Sequence, residues 1–352
     1  MPSRFLRYTI LIIVSSLVGF SIPFAACQGS PEDLFLIRDD NKCGYIDSTG
    51  HVAITPAFED CGDFGDGLAA VREQGKWGFI DTHGRLQVPT RFDEARFPFS
   101  EGLAAIRLGD KWGYIDRRGQ QVISPQFKYG SEFSSLRAVV LVGDKHAVID
   151  MTGKIIAGPF DFSWWSFEEG VLAVQNGDVW GFIDLEGKVV IPFRYRNVRD
   201  FSEGLAAAEV NEGKWGFIDH SGTVVIPPQF DLSEGSYFRR GLAPVRIGDK
   251  VGFIDKSGNI VIQPQFKRAS SFYDDLADVE LGDKYGFIDS TGKFVIEPQF
   301  DMSLGFHGGL ASVALGKRWF DPKGNPSDRE YEEYWGYIDR SGHWVWGPSR
   351  IQ

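Results

Sequence analysis

The chain is expected to be all-β, built of tandem antiparallel β-meanders, and three features of its 352 residues predict this. A short word, KWGYIDRRG at 111–119, returns in close variants such as KWGFIDTHG (76–84), KWGFIDHSG (214–222) and KYGFIDSTG (284–292). Its central glycine falls at Gly44, Gly78, Gly113, Gly181, Gly216, Gly252, Gly286 and Gly336, with Ala147 of KHAVID in a degenerate copy. The nine copies follow at steps of 34, 35, 34, 34, 35, 36, 34 and 50 residues, and a fixed period in this range marks a repeat architecture. Within each period apolar residues alternate over four to six positions between glycines and prolines, the pattern of short strands rather than helices.

The first element is a targeting segment. Arg4 and Arg7 precede an uncharged run, YTILIIVSSLVGFSI (8–22), and small residues stand before Cys27. Residues 1–26 therefore read as an export signal, with a retained membrane anchor as the alternative because the run is near spanning length. The string FAAC (24–27) resembles the lipobox of bacterial lipoproteins, in which the cysteine is acylated and becomes the new terminus; Phe24 departs from the usual aliphatic residue. The resemblance implies Cys27 as the lipid attachment point and a periplasmic or cell-surface protein. Ordinary cleavage would give a secreted one. Residues 27–33 then form a short polar tether, and 34–348 hold the nine repeats.

Charge narrows the partners. Removing the signal takes two basic residues and no acidic one, so the net charge moves from −11 to −13. Such a surface repels phosphate backbones, so nucleic acid is not expected, and contact with a membrane is expected only through the N-terminal anchor. Cys43 and Cys61 are left as an even pair outside the reducing cytosol. They read either as a disulfide or as two small apolar fillers.

Each repeat resolves into four segments. In one copy FDEARFPF leads through SEG to LAAIRLG, then through GDK to WGYID, then through RRG to QVIS before Pro125. The tetrapeptide between the last two segments keeps Asp and Gly in all nine copies, as at Asp81 and Gly84 or Asp116 and Gly119. Asp at the head of a type I turn accepts the following amides, and Gly three residues on takes the left-handed conformation of a bulged hairpin. Both are explained by backbone geometry. The aromatic position, Trp77, Trp112, Trp180 and Trp215 in full copies, is Cys43, His146, Val251 or Tyr285 elsewhere. Tolerance of valine points to packing, with the next glycine admitting a neighbouring backbone.

With PQF at 125–127, 228–230, 264–266 and 298–300, and GLA after the first turn, the unit resembles the bacterial WG repeat family, also written KWG. The resemblance implies a β-rich interaction module and supplies no catalytic residue. Four short strands per unit fit either a rung of an open twisted array or the blade of a closed β-propeller. The open array is the expectation, because the chain enters at a second segment and nine blades exceed the usual range.

Enzyme signatures are lacking. No His pair has metal spacing, no nucleophile has a local signature, and the glycines punctuate hairpins. Neither cofactor nor metal is expected. Departures from the repeat are the candidate binding elements: FDFSWWSF (160–167), with Trp164 and Trp165, and the widened last unit, with Trp319 in KRWFDPKGNPSDREYEEY (317–334) and Trp344 and Trp346 in HWVWGP. Exposed tryptophans stack on sugars or anchor proteins; a larger core plug and an end cap are the structural readings of the same segments. The function expected is a non-enzymatic exported scaffold presenting an acidic β surface to another protein at the cell envelope, with an envelope polysaccharide as the alternative partner.

Overall fold

The computed structural model describes residues 33–347 except positions 40, 96, 212, 232–235 and 321–329; at 211 and between 317 and 333 it describes backbone alone. The export signal and Cys27 lie outside the described residues. Among those described, the strands form nine small antiparallel sheets, each a meander in chain order and each holding one copy of the repeated word. Blade 2 is typical, with strands Asp60–Gly65, Leu68–Glu73, Lys76–Asp81 and Leu86–Phe92. The first strand is the most variable, from six residues in blade 2 to two at Tyr129–Gly130, Phe162–Ser163 and Arg268–Ala269.

The recurrent residues account for this geometry. Trp77 pairs across the sheet with Phe92 while Phe79 pairs with Val88, so the fourth strand bulges between them. The bulge drives its backbone toward the third strand, and a side chain at Gly78 would begin 2.5 Å from the Val88 carbonyl oxygen. Glycine is required by that approach. The degenerate blade solves the same problem from the other side: Ala147 replaces the glycine, and Gly158 stands in the facing strand, where a side chain would begin 2.8 Å from the His146 carbonyl oxygen.

The fourth strand alternates buried and exposed residues and carries Pro56, Pro89, Pro125, Pro192, Pro264 or Pro298. Proline is tolerated there because the strand is a sheet edge, and it interrupts the donors that another chain would pair with.

Turn and interface are built by one residue. At Asp81 the amides of His83 and Arg85 donate to the carboxylate at 2.9 and 3.0 Å, and Gly84, at φ +75°, donates back to the Asp81 carbonyl. The same Gly84 rests on Ile54 of the preceding blade, as Gly119 rests on Val88 and Gly153 on Ile123. Repetition of this step around the array ends at Gly50, which lies against Val345 of the last blade. Tyr337 Oη donates to the Leu36 carbonyl at 2.9 Å, its ring meets Phe35 edge-on at 5.5 Å, and Phe35, Ile37, Ile46 and Leu310 form a shared core.

The first and last blades therefore join, and the molecule is a nine-bladed β-propeller. The all-β repeat expectation holds, but the arrangement is the closed ring held as the alternative, and the open array is corrected. Closure does not require a strand shared between termini. The seam uses the turn glycine and aromatic packing that every other interface uses, so nine like steps bring the ends together.

Candidate functional site at the ring axis

With the proline-bearing strands on the outside, the first segment of each blade faces the axis. Each ends in a buried or half-buried phenylalanine: Phe64, Phe99, Phe133, Phe167, Phe201, Phe238, Phe272 and Phe306. The residues before these phenylalanines are, in order, Asp63, Pro98, Glu132, Ser166, Asp200, Tyr237, Ser271 and Gly305. Carboxylates occupy alternate blades from the second to the sixth, and Glu168 adds one from the fifth, hydrogen-bonded at 3.2 Å by Ser166.

The carboxyls of these segments are raised, and charges on other blades contribute. Burial pushes the Glu132 carboxyl up to about 7, with Asp63 and Glu168 adding repulsion although they belong to other blades. Burial raises Asp200 to about 8, Glu168 adding and Arg199 opposing. Glu168 is raised by burial, against the Ser166 hydroxyl and Arg239. Asp63 is open to solvent, yet protein surrounds it closely enough that burial raises its carboxyl, with His307 of the last blade opposing. The side-chain carboxylates of Asp63, Glu132 and Asp200 accept no hydrogen bond from a described residue; the Ser131 hydroxyl donates to the Glu132 backbone carbonyl instead.

Many other carboxylates are engaged by the scaffold. On one face Asp66 accepts the Gly102 amide of the next blade at 2.7 Å, Glu101 that of Leu136 at 2.6 Å, Glu203 that of Gly241 at 3.0 Å and Asp274 that of Gly309 at 2.8 Å. Between one blade and the start of the next, Lys76 meets Asp93 at 2.5 Å, Lys214 meets Asp231 at 2.7 Å and Lys284 meets Asp301 at 2.8 Å. The turn aspartates are held low; at Asp289 the Thr291 hydroxyl contributes most.

The tryptophans take mostly interior places. Trp77, Trp112, Trp180 and Trp215 are buried. Trp164, read either as a surface ring or as a core plug, is only 7% exposed: it stacks on Trp180 at 5.9 Å, donates through Nε1 to the Val198 carbonyl at 3.3 Å, and with Trp215 brackets the Arg199 guanidinium. Burial leaves it no face for a sugar, and the core plug is what this residue forms. Trp165 is half-buried at 4.8 Å from both His146 and Tyr129. Trp346 is half-buried in the seam, and Trp344 is 40% exposed. Trp319 stands in a strand paired with Tyr331, its side chain outside the described residues.

Cys43 and Cys61 form a disulfide joining blades 1 and 2, with Cα atoms 6.1 Å apart. Between blades 4 and 5 the equivalent contact is His146 Nδ1 to Ser163 Oγ at 2.9 Å. Among the described residues no three acidic, histidine or cysteine side chains gather as a metal site. No described helix is long and apolar enough to cross a membrane.

The axial carboxylates were missed in the sequence, although a signal was there. Asp63, Glu132 and Asp200 each precede a phenylalanine and lie 69 and 68 residues apart, two repeats at a time.

Comparison with known proteins agrees with this architecture. The family model "WG containing repeat" matches residues 44–77, 77–112, 112–145, 180–215, 215–250, 252–285 and 285–319, more than half of the chain, and passes over the copy with Ala147. No curated protein matches. Among solved structures, a eukaryotic initiation factor is similar at TM-score 0.59 and 12% identity, over 89% of this chain and 94% of that one. The designed protein Ika8 (TM-score 0.44, 12% identity, 81% and 94%) and BamB from Moraxella catarrhalis (0.42, 13%, 74% and 94%) are more distant.

Proposed function

The chain belongs to the WG repeat family, and we propose from that premise that it is a non-enzymatic interaction platform, exported to the cell envelope, whose partner is another protein. One observation carries the reading. The polar residues that recur with the repeat are largely spent on the scaffold, as turn aspartates, lysine–aspartate pairs and amide-binding carboxylates. Repetition of this kind makes a rigid frame with one distinctive surface, and nothing in it assembles a nucleophile with a base. The Cys43–Cys61 disulfide supports an oxidising compartment. The export signal and the acylation of Cys27 belong to the same proposal.

The test is cell fractionation of the full chain carrying a photo-crosslinking residue in place of Tyr237, on the axis. A processed protein in the envelope fraction, crosslinked in stoichiometric amount to one protein, is expected. An unprocessed cytosolic protein, or a processed one with no crosslinked protein, would overturn the reading. The polysaccharide alternative loses Trp164 and keeps Trp344, whose 40% exposure is its one support. Retention on insoluble wall polymer that Trp344→Ala abolishes would favour it.

A further inference from the structure

We infer that blade 1 is a strand-addition site: its inner edge, Phe35–Asp39, takes an extended segment of the partner protein in the place that a first strand holds in the other blades. The inference deepens the platform reading and rests on it, since it names where and how a protein partner is held.

The backbone carries the argument. Among the described residues blade 1 has three strands, Phe35–Asp39, Lys42–Ile46 and Val52–Phe58. Asp39 pairs with Lys42 and Ile37 with Gly44, so the backbone groups of Leu36 and Arg38 point to the free edge. In every other blade the residue at the place of Arg38 bonds the backbone of the first segment, as Arg72 accepts from Glu59 at 2.9 Å, Leu141 from Lys128 at 2.9 Å and Glu280 from Lys267 at 2.8 Å. At the place of Leu36, Val139 and Ala207 accept the amides of Ser131 and Arg199 at 2.9 and 2.8 Å. Arg38 has no such backbone partner among the described residues, and an unpaired edge is a template for another strand.

The side chains around the edge are adapted to this. Phe35 stands where other second strands carry alanine, as Ala69, Ala104 and Ala138. It meets Tyr337 edge-on at 5.5 Å, much as Phe64 and Phe133 of first segments meet Tyr45 and Tyr114 of the preceding blades at 4.8 and 4.9 Å. Tyr337 Oη donates to Leu36, whereas Tyr45 and Tyr114 donate to the first-segment carbonyls of Gly62 and Ser131. The seam thus supplies the ring and the acceptor of a first strand and leaves its backbone pairing open. The Cys43–Cys61 disulfide and the Arg38–Asp60 ion pair at 2.6 Å hold this three-stranded blade against blade 2.

The pairing made in the other blades defines the occupant. It is extended, and it places a small side chain where their first segments place phenylalanine, because Phe35 fills that space. A basic residue suits its entry beside Asp39, exposed at the strand end, as Lys128 at the entry to blade 4 meets Asp144 at 2.5 Å. The turn that delivers a blade's own first segment is left-handed at two successive residues, such as Glu101 and Gly102 or Glu203 and Gly204. The same place in blade 1 reads Glu32-Asp33 after Pro31, which favours a strand from another chain.

The probe is fluorescein-labelled acetyl-KYGSEASS-amide, the first segment of blade 4 with alanine in place of Phe133. Fluorescence anisotropy with the purified full chain in detergent is expected to show saturable one-to-one binding. N-methylation of the peptide's lysine amide, the donor to the Arg38 carbonyl, should weaken binding about tenfold. Arg38→Pro, which removes the edge amide, should do the same, whereas Arg38→Ala keeps that amide and should leave binding unchanged. Thermal unfolding confirms that each variant is folded. Absence of saturable binding, or binding that either the methylated peptide or Arg38→Pro leaves unchanged, would overturn the inference. In cells, a photo-crosslinking residue in place of Arg38 should capture the protein that is captured from position 237. Capture from 237 without capture from 38 would remove this inference alone; peptide binding without capture from either would remove the platform reading itself.

Discussion

Gly50 lies against Val345, and through that contact the turn between the second and third strands of the first described blade rests on the last strand of the ninth. Its φ of +88° is one that only glycine adopts without strain, and any side chain there would begin inside the Val345 carbonyl. Gly50→Val should cost about 3 kcal/mol. It should also open the ring, so small-angle scattering should show a larger radius at 25 °C with the circular dichroism of strands retained. A destabilised protein of unchanged radius would show that the seam is held elsewhere.

The disulfide between Cys43 and Cys61 ties the blade next to the seam to its other neighbour. It closes a loop of 18 residues, for which the loss is about 3 kcal/mol. Cys43→Ser with Cys61→Ser should lower the melting temperature by as much as reductant lowers it in the parent. Reductant should then have no effect on the double variant.

Stability should decline as pH rises from the ordinary carboxylate range to about 8. The Asp200 carboxyl is raised to about 8 by burial, Glu168 and, in opposition, Arg199, whereas in the unfolded chain it returns to the ordinary carboxylate range. The folded state therefore binds more protons between those limits, and stability falls as pH rises through them. Asp200→Asn should flatten the decline and gain about 1–2 kcal/mol over the parent at pH 9, read by urea denaturation at pH 6 and 9. The turn aspartates, held low in the fold, act in the opposite direction and lose their contribution as pH falls below about 4.

Trp180 and His146 occupy the same place in neighbouring blades but not the same environment. Trp180→Ala removes a buried ring that packs against Phe162 and Trp164, at a cost of about 3–5 kcal/mol. His146→Ala should cost less, about 1–3 kcal/mol, since it removes a smaller ring and one bond to Ser163. Burial depresses the His146 imidazole to about 4. Its protonation in the unfolded chain alone should erode stability from pH 6.5 down to about 4, and that erosion should vanish in His146→Ala.

The strands, the turns and the glycine after the aromatic residue were legible in the sequence because each follows from contacts within one period. Asp81 and Gly84 report their turn through spacing alone. Closure was not legible. It depends on the angle between neighbours, which Gly50 and Val345, almost 300 residues apart, reveal only in three dimensions. The axial carboxylates escaped for a related reason. Glu132 and Asp63 act together across an intervening blade, and a repeat read one period at a time discards a pattern that spans two. Trp164 was open to two readings, an exposed ring or a larger core plug beside the degenerate blade, and its burial is that of the plug.

The exchange between Ala147 and Gly158 bears on how such rings change over time. What the fold requires at that point is a missing side chain between two backbones, and either backbone can provide it. A substitution that erases the signature glycine is thus survivable when its opposite number shrinks, and the blade persists under a different spelling. Motif counts then give a lower bound: seven matched repeats here stand for nine blades. In relatives whose tally looks too small to close, a glycine ten or eleven residues beyond the vanished one is the mark of a blade still present.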